Sequence, residues 1–474
     1  MAEGMQRFVE LEQAWPDRRQ PAERAHDFLE IHGEFIAAKA KAQAARCAQC
    51  GVPFCQTHCP LQNNIPDWLK ATAEGRLEDA YALAAATNPM PEICGRICPQ
   101  DRLCEGACVI EHGGHGAVTI GAVEKFLTET AWREGWVAPI RARTERSESI
   151  GIIGAGPAGL AAAERLRTHG YQVAVYDRHD RIGGLLIYGI PNFKLEKDVV
   201  ARRTHRLVEA GVRFELNCNV GETISFETLR AGHNAVLIAT GVYKPKPLNT
   251  PNGQAVVAAL DYLIAANRIG LGDEVSDFAS GALDANRRRV VVIGGGDTAM
   301  DCVRTARRQG AKSVTCVYRR DRANMPGSQR EVTHAEEEGV AFDWLAAPKA
   351  VRGGNSPGVK VARIQLGAPD ADGRQAPEET PGAGYDVPGD LIIAALGFNA
   401  EDLPVLWKAP DLATTRWSTL DVNVATHETS LPGVFAAGDI VRGASLVVWA
   451  IREGLDAANA MHTWIQQEAR VAAL

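Results

Sequence analysis

From Ser149 onward the chain alternates regularly between short apolar runs and longer amphipathic stretches. Two apolar runs, Ile150–Ile153 and Val290–Ile293, are each followed at once by a glycine-rich turn, a stretch of good helix formers and a second short apolar run. This rhythm is typical of a parallel β-sheet whose strands are joined by crossover helices. The pattern therefore predicts two βαβ units, the first beginning near Ser149 and the second near Arg287.

The first 146 residues have a different pattern, in which apolar positions recur at helical spacing. Two stretches rich in helix formers, Asp27–Cys47 and Asp67–Thr87, predict helices. The Gly- and Pro-rich segments that carry most of the cysteines predict loops. Residues 141–149 are polar and unpatterned, so we interpret them as the linker to the sheet-forming region.

Two further patterns complete the chain. Residues 346–389 are rich in Gly, Pro and Asp and contain short alternating stretches, which predict an antiparallel meander with loops. Residues 390–474 return to buried strands and end in a helical stretch.

Composition narrows the class of protein. The chain has 474 residues, with 51 Lys+Arg against 58 Asp+Glu, so its formal net charge is −7. This balance argues against a protein whose affinity rests on neutralising nucleic-acid phosphates. We find no apolar run long enough for a membrane helix and no export signal at the start, so we expect a cytoplasmic protein of enzyme size.

The first glycine loop reads Gly154-x-Gly156-Pro157-x-Gly159, directly after the first strand and at the start of a helix. Such glycines allow a tight turn, close approach of the backbone to a pyrophosphate and close packing of helix on strand. Asp177 ends the following strand, where a carboxylate binds ribose hydroxyls. Strand, loop, helix and acid together predict a dinucleotide site.

The second loop, after Val290–Ile293, has the G-x-G-x-x-A form and ends its next strand with an arginine pair in place of an acid. Guanidinium groups bind a 2′-phosphate and a carboxylate repels one, so this site predicts NADPH over NADH. The alternative is that the two arginines are merely solvated. The candidate NADPH residues are Gly294, Gly296, Asp297, Thr298, Ala299, Arg319 and Arg320.

Two dinucleotide folds in one chain suggest one for FAD and one for the nicotinamide nucleotide. Thr240 and Gly241 close a strand, and Gly438 and Asp439 end a later one, where the carboxylate of Asp439 can hold a ribityl hydroxyl. The helix soon after Asp439 would direct its N-terminus at the flavin. These features favour FAD in the first fold, with the NADPH fold inserted into it. In these features the chain resembles the flavoproteins that have two dinucleotide-binding domains.

Cysteine usage is the other strong signal, because eight of the eleven cysteines lie between Cys47 and Cys108. A reducing cytosol keeps disulfides open, so we interpret the eight as thiolate ligands. Cys59 is followed by Pro, as the last cysteine of an iron–sulfur run often is. Zinc is the alternative metal, but zinc cannot pass electrons to or from a flavin.

The remaining cysteines, Cys218, Cys302 and Cys316, are isolated and predict small buried residues. Without a closely spaced pair beside the flavin, we exclude thiol exchange as the chemistry. His58, His112 and His115 lie near the cysteine loops, and we interpret them as loop residues, not ligands.

Over essentially its full length the chain resembles the small (beta) subunits of NADPH-dependent glutamate synthase. The segments that carry the resemblance are CAQCGVPFCQTHCPLQNNIPDWL, EICGRICPQDRLCEGACV, TIGAVEKF, GIIGAGPAGLAAAE, GGLLIYGIPNFKLEK, VVVIGGGDTAMDCVRTA, YRRDRANMPGSQREV and GVFAAGDIVRGASLVVWAIREG. Within the segment GGLLIYGIPNFKLEK, we expect Gly184 and Leu185 to contact FAD as well.

The resemblance implies an α/β fold in which an α-helical iron–sulfur domain precedes two Rossmann-like dinucleotide-binding domains, the NADPH domain inserted into the FAD domain. We expect the helical iron–sulfur domain over residues 1–146, the FAD domain over 147–253 and 396–474, and the NADPH domain over 254–395.

The same module resembles the N-terminal part of dihydropyrimidine dehydrogenase, which implies how two 4Fe–4S clusters are held. One cluster would take Cys47, Cys50, Cys55 and Cys108, and the other would take Cys59, Cys98, Cys104 and Glu124. This sequence has Glu where that relative has Gln, and Cys94 is left over as a competitor for the fourth position.

The implied function is electron input. NADPH would reduce FAD, and two 4Fe–4S clusters would relay electrons to a separate large (alpha) subunit that makes L-glutamate from L-glutamine and 2-oxoglutarate, so we expect a hetero-oligomer without nucleic-acid or membrane partners. We expect the large subunit to dock on the N-terminal domain. Two alternatives remain open: an NADPH–ferredoxin oxidoreductase subunit of another complex, and a metal-binding scaffold without catalysis.

Overall fold

A computed structural model describes residues 6–370 and 375–472. It contains a helical N-terminal unit, two parallel sheets with helices on their faces, and a separate antiparallel sheet. The predicted fold class is thus confirmed.

The N-terminal unit is built of short helices around one core. Its helices are α1 (Arg7–Glu10), α2 (Pro21–Arg24), α3 (Ala37–Ala44), α4 (Phe54–Thr57), α5 (Ile65–Glu74), α6 (Leu77–Ala85), α7 (Pro91–Ile97), α8 (Val109–His112) and α9 (Ile120–Glu134), with a 3₁₀ turn at Gln100–Arg102. Helix α9 is buried along most of its length and packs against α7. The two helices approach closely at Gly95, where an added Cβ would lie 2.9 Å from the backbone nitrogen of Lys125.

The helix predicted over Asp27–Cys47 was wrong in its first half, because the described helix begins only at Ala37. Residues before it run irregularly, and Glu30 makes ion pairs with Arg96 at 2.6 Å and with Lys125 at 2.5 Å. Tertiary charge pairing there overrides the local helix propensity, which is only a weak determinant of structure.

The stretch predicted as helical over Asp67–Thr87 forms two helices. Helix α5 starts at Ile65, with Pro66 in its first turn, and it ends at Gly75, whose φ of +82° is the left-handed conformation that favours glycine. Helix α6 follows after Arg76. Residues 141–148 form no helix or strand, as expected of the linker.

The first parallel sheet has the strand order β15-β4-β1-β2-β3. Its strands are β1 (Ser149–Ile153), β2 (Gln172–Tyr176), β3 (Arg213–Glu215), β4 (Ala235–Ile238) and β15 (Val434–Ala436). Its helices are α10 (Pro157–Thr168), α11 (Leu185–Tyr188), α12 (Lys197–Glu209), α13 (Phe226–Ala231), α18 (Leu403–Leu406), α19 (Asp439–Arg442) and α20 (Val447–Ala472). Helices α10 and α20 pack so closely that a Cβ on Gly454 would lie 2.2 Å from the carbonyl oxygen of Ala158.

The second parallel sheet has the order β6-β13-β7-β8-β9. Its strands are β6 (Val257–Ala258), β7 (Arg289–Ile293), β8 (Ser313–Tyr318), β9 (Ala341–Trp344) and β13 (Leu391–Ala394), and its helices are α14 (Ala259–Gly270), α15 (Ser276–Ala279), α16 (Asp297–Arg308) and α17 (Gln329–Glu337). Because these strands lie in sequence between β4 and β15 of the first sheet, the second sheet is an insertion into the first fold.

The antiparallel meander expected between 346 and 389 is confirmed. It comprises β10 (Ala346–Arg352), β11 (Gly358–Pro369) and β12 (Gln375–Pro388), paired in that order. A two-stranded ribbon of β5 (Lys244–Pro245) and β14 (Phe398–Asn399) lies where the chain leaves the first sheet and returns to it. Within the described residues, no helix has both the length and the apolar character needed to span a bilayer.

Candidate functional site

A cavity of about 850 Å³ lies where the helical unit and both parallel sheets meet. Of the predicted dinucleotide residues, those that line it are Gly154, Gly156, Pro157, Asp177, Gly184, Leu185, Thr240, Gly241, Gly438, Asp439, Asp297 and Thr298. Residues 95–101 of the helical unit, from the end of α7 to the 3₁₀ turn, line it as well. One cavity thus touches both predicted nucleotide sites and the cysteine-bearing unit.

The first glycine loop has the geometry that its sequence predicts. Gly154 has φ +112°, and a Cβ there would lie 2.3 Å from the carbonyl oxygen of Ala239. A Cβ on Gly159 would lie 2.0 Å from the carbonyl oxygen of Gly154, so this glycine serves the packing of helix on strand. Gly156 faces open space, with nothing within 4 Å of an added Cβ. The backbone at Gly156 is therefore open to a ligand.

Asp177 lies at the end of β2 and is held by the loop it faces. Its carboxylate accepts hydrogen bonds from the backbone N–H groups of Ala155 at 2.7 Å and His179 at 2.8 Å. These bonds fix the carboxylate at the cavity wall, where the sequence places a ribose contact.

Two further polar groups of this wall fit a bound flavin nucleotide. The hydroxyl of Thr240 is buried without a hydrogen-bond partner, which is costly unless a ligand supplies one. Burial raises the pKa of Asp439 to about 6. Helix α20 begins beside them, and Leu446, Val447 and Ala450 line the cavity, so its N-terminal dipole lies where the sequence predicts it.

The second glycine loop follows β7 in the same way. Gly294 has φ +145°, and a Cβ there would lie 2.3 Å from the carbonyl oxygen of Ala395. Gly296 faces open space, as Gly156 does, and Ala299, in the first turn of helix α16, is fully buried. The first turn of α16, at Asp297 and Thr298, faces the cavity. Its free N–H groups suit an anionic diphosphate.

Arg319 and Arg320 follow β8 and lie outside this cavity. Arg319 is exposed, whereas Arg320 is half-buried and its Nε has no hydrogen-bond partner. An unpaired guanidinium nitrogen suits a phosphate ligand. The pair directly follows Tyr318, whose ring packs on Gly295 of the second glycine loop.

Cys47, Cys50, Cys55 and Cys108 surround a second, small cavity in the helical unit. Apolar residues, among them Leu69 and Ile120, complete its wall. Cys108 therefore lies beside Cys47, Cys50 and Cys55, although its neighbour among the cysteines in sequence is Cys104. This is the grouping that the resemblance implies for one cluster.

The second set lies around the α7–α9 contact. The thiol of Cys98 is hydrogen-bonded to that of Cys94, and Cys59, Cys104 and Glu124 are close enough to act electrostatically within this set. Asn88 donates a hydrogen bond to Glu124 at 3.4 Å, and burial raises the pKa of Glu124 to about 8. Of the two candidates for the fourth ligand, Glu124 thus interacts with Cys59, Cys98 and Cys104, and Cys94 interacts with Cys59 and Cys98.

Burial makes these thiols poor acids on their own. It raises the pKa of Cys47 to about 11 and that of Cys55 to about 12. A metal centre removes the proton from a coordinating thiol, so buried free thiols grouped in this way suit metal ligation. In the described ranges, no three His, Cys, Asp or Glu side chains converge closely enough for one metal ion.

The other cysteines and the nearby histidines have ordinary surroundings. Cys302 and Cys316 are fully buried free thiols. Cys218 is only half-buried, because it lies in the turns after β3, so its predicted burial was wrong. His58, His112 and His115 are exposed.

Two charged residues near the cavity, Arg102 and Lys194, carry no motif that marks them in the sequence. Arg102, from the cysteine loop, lies 2.8 Å from Asp297. Lys194, before α12, lies 2.9 Å from Asp301 on α16. Lys194 lies in GGLLIYGIPNFKLEK, one of the segments that carry the resemblance, and nothing in the spacing of Arg102 points to the second loop.

Family models divide the chain at the linker. Residues 24–136 match the model described as dihydropyrimidine dehydrogenase domain II, 4Fe-4S cluster, and residues 148–454 match pyridine nucleotide-disulphide oxidoreductase. Among solved structures, Mycobacterium tuberculosis FprA in complex with NADPH is similar at 19% identity and TM-score 0.59, covering 69% of this chain and 86% of FprA. That likeness shows the two-sheet fold.

Curated relatives match the whole chain. The glutamate synthase (NADPH) small chain of Escherichia coli is 42% identical, covering 98% of this chain and 100% of the relative. The corresponding chain of Azospirillum brasilense is 59% identical, covering 98% of this chain and 96% of the relative. The chain therefore belongs to the family of the glutamate synthase (NADPH) small chains.

Proposed function

We propose that this chain is the electron-input subunit of a glutamate synthase. It oxidises NADPH and passes electrons through FAD and two 4Fe–4S clusters to a large subunit, which makes L-glutamate from L-glutamine and 2-oxoglutarate. The family membership and the oxidoreductase domain support the NADPH-dependent redox role.

One observation carries the proposal. The 850 Å³ cavity is lined by the first glycine loop, by Asp297 and Thr298 of the second, and by Cys98 from the helical unit. The proposed NADPH, FAD and iron–sulfur sites would thus border one cavity, which favours short electron-transfer distances between them.

Residues on the cavity wall would hold the nucleotides. Gly156 and the first turn of α10 would receive the FAD diphosphate, with Asp177 on a ribose and Thr240 and Asp439 nearer the flavin. The remaining candidate FAD residues are Gly154, Pro157, Gly159, Gly184, Leu185, Gly241 and Gly438.

For NADPH, Gly294, Gly296, Thr298 and Ala299 would shape the diphosphate loop, and Arg319 with Arg320 would bind the 2′-phosphate. Bound flavin would supply the conversion between the electron pair of a hydride and the single electrons that iron–sulfur clusters accept. The protein's own task is to position the two nucleotides and to keep the space between them dry.

For the metal centres, we assign Cys47, Cys50, Cys55 and Cys108 to one cluster. We assign Cys59, Cys98, Cys104 and Glu124 to the other, with Cys94 as the competing fourth ligand. The reducing cytoplasm keeps these thiols available for iron.

The partner would dock where electrons leave, on the helical unit. Two exposed apolar side chains, Phe54 at 47% and Val109 at 44% exposure, line the small cavity around Cys47, Cys50, Cys55 and Cys108, and Val52, at 63% exposure, precedes Pro53 of its wall. Exposed apolar groups above a redox centre suit a dry contact with the large subunit.

Anaerobic titration with NADPH, followed by visible spectroscopy, tests the redox role. We expect a purified chain with one flavin and about eight iron atoms, whose colour NADPH bleaches. Zinc in place of iron, or no bound flavin, would overturn the proposal and leave the scaffold alternative.

Co-purification tests the partner. We expect a large glutamine-cleaving subunit to bind the chain and to form glutamate with NADPH as reductant. A chain that NADPH reduces but that passes electrons only to ferredoxin would belong to another complex, as an NADPH–ferredoxin oxidoreductase subunit.

A further inference from the structure

An arginine of the helical unit reaches the second nucleotide loop. Arg102 lies in the turn between Cys98 and Cys104, and its Nη2 donates a hydrogen bond to the Asp297 carboxylate at 2.8 Å. Its Nη1 donates to the carbonyl oxygen of Pro326. Arg102 thus bridges two segments of the inserted fold.

Asp297 lies where its negative charge suits the helix dipole but would oppose an anionic ligand. It is the first residue of helix α16, directly after Gly296, where the free N–H groups and positive dipole end would receive the NADPH diphosphate. A carboxylate beside a diphosphate repels it, because like charges at short range disfavour each other. The loop therefore needs a counter-charge for Asp297 before it can bind an anion well.

The segment that contains Gly327 and Ser328 holds the Asp297 carboxylate and packs on the second glycine loop. The N–H of Ser328 donates to Asp297 Oδ1 at 2.9 Å, and Arg102 occupies Oδ2. The N–H of Gly327 donates to the carbonyl oxygen of Gly295 at 3.0 Å. The hydroxyl of Ser328 donates to Asp101, the neighbour of Arg102, at 3.1 Å. Both carboxylate oxygens of Asp297 thus have protein partners, so we infer that Asp297 affects NADPH binding through its charge.

We propose that Arg102 is a positioning residue of the NADPH site, supplied by the iron–sulfur unit, which neutralises and orients Asp297 so that the first turn of α16 can accept the diphosphate. The inference rests on the proposed NADPH-oxidising function. It also means that the loop carrying Cys98 and Cys104 completes a nucleotide site in another domain.

The first test is the Arg102→Gln variant, assayed by NADPH-driven reduction of a dye under anaerobic conditions. We expect KM for NADPH to rise about fivefold, the worth of one partly exposed ion pair. We expect kcat at saturating NADPH to stay within about twofold, because ground-state binding is what is lost. Arg289→Gln is the matched control: it breaks a similarly exposed pair with Asp390 at the opposite end of β7 and should leave KM unchanged.

Two inhibitors separate the diphosphate from the 2′-phosphate. Arg102→Gln should weaken inhibition by NADP⁺, which carries a diphosphate, and should leave inhibition by 2′-AMP, which does not, unchanged. Equal weakening of both inhibitors would show a general disturbance of the domain and would overturn the proposal.

A second background tests whether Arg102 acts through Asp297. In Asp297→Asn the repulsive charge is gone, so KM for NADPH should not exceed the parent value, and adding Arg102→Gln should change it little. If Asp297→Asn alone raises KM about fivefold, Asp297 binds NADPH directly and the proposal fails.

The variants also keep this proposal separate from the general one. Iron and flavin are counted in each variant. If Arg102→Gln loses iron, Arg102→Lys replaces it as the test, because this variant keeps the charge and should keep most of the affinity for NADPH. A parent chain that NADPH does not reduce would overturn the proposed function, whereas an active parent with an unchanged Arg102→Gln KM would overturn only the role of Arg102.

Discussion

The ammonium group of Lys194 lies 2.9 Å from the carboxylate of Asp301, and both side chains are nearly buried, at 15% and 11% exposure. Lys194 belongs to the first parallel fold, whereas Asp301 lies one turn after Asp297 on helix α16 of the inserted fold. Burial raises the pKa of Asp301 to about 6, while Lys194 acts to lower it. The pair therefore ties the two nucleotide-binding folds together beside the shared cavity.

Replacing Lys194 by Gln should destabilise this contact strongly. The change leaves Asp301 buried beside Glu331 without its cation, and breaking a buried pair in this way costs about 3 kcal/mol of unfolding free energy. Denaturant unfolding followed by flavin fluorescence measures the loss. Lys349→Gln, which breaks an exposed pair with Glu379 on the antiparallel sheet, should stay within about 0.5 kcal/mol of the parent. Equal effects of the two changes would contradict the role of burial.

Replacing Cys108 by Ser should remove one cluster while the other stays. Cys108 shares its cavity with Cys47, Cys50 and Cys55, so its loss should lower iron to about half of the parent value. Iron analysis and the visible spectrum of folded protein measure this. Cys218→Ser, at a half-buried cysteine outside both sets, should keep the parent iron content. Undiminished iron in Cys108→Ser would remove that residue from the ligand set.

Two variants test which residue is the fourth ligand of the cluster held by Cys59, Cys98 and Cys104. We expect Glu124→Ala to lose that cluster and Cys94→Ala to keep both, with iron per chain as the measurement. The reverse result would make Cys94 the ligand, since both groups lie beside Cys98 in the structure.

Coenzyme preference should depend on Arg319. Arg319→Glu replaces a phosphate-binding charge by a repelling one, so the ratio of kcat/KM for NADPH over NADH should fall by at least about tenfold. Steady-state rates with both coenzymes measure the ratio. Arg416→Glu changes an exposed arginine beside Trp417 in the same way and should leave the ratio unchanged. If Arg319→Glu keeps the preference for NADPH, Arg319 does not bind the 2′-phosphate and the alternative of a solvated arginine pair holds.

We expect mild acidification to lower the free energy of unfolding, because His32 is buried in its neutral form. Its ring lies 5.4 Å from that of His334, and burial lowers the pKa of His32 to about 3, so the folded chain keeps it neutral. The unfolded chain binds the proton below about pH 6.5, so unfolding free energy should drop by about 1.4 kcal/mol from about pH 7.5 to about pH 5.5.

The His32→Gln variant should lack this share of the acid sensitivity when the two unfolding curves are compared. His205→Gln, at an exposed histidine paired with Glu209, should keep all of it. A parent and a His32→Gln variant with the same pH dependence would show that His32 takes up its proton in the folded chain.

Sequence by itself determined the features that depend on local backbone chemistry. Gly154 and Gly294 adopt positive φ beside a neighbouring carbonyl, a conformation and a space that only glycine tolerates, so each turn can be read from a few adjacent letters. The order of apolar runs likewise determined two parallel sheets, one inserted into the other.

Tertiary structure alone decided how distant parts of the chain meet. It brought Cys108 to Cys47, turned the predicted helix before Ala37 into a segment held by Glu30, and set Arg102 against Asp297. Charge pairs and thiol groupings act through space between residues far apart in sequence. No local pattern of letters encodes them, and only the packing of complete domains brings these side chains within reach of one another.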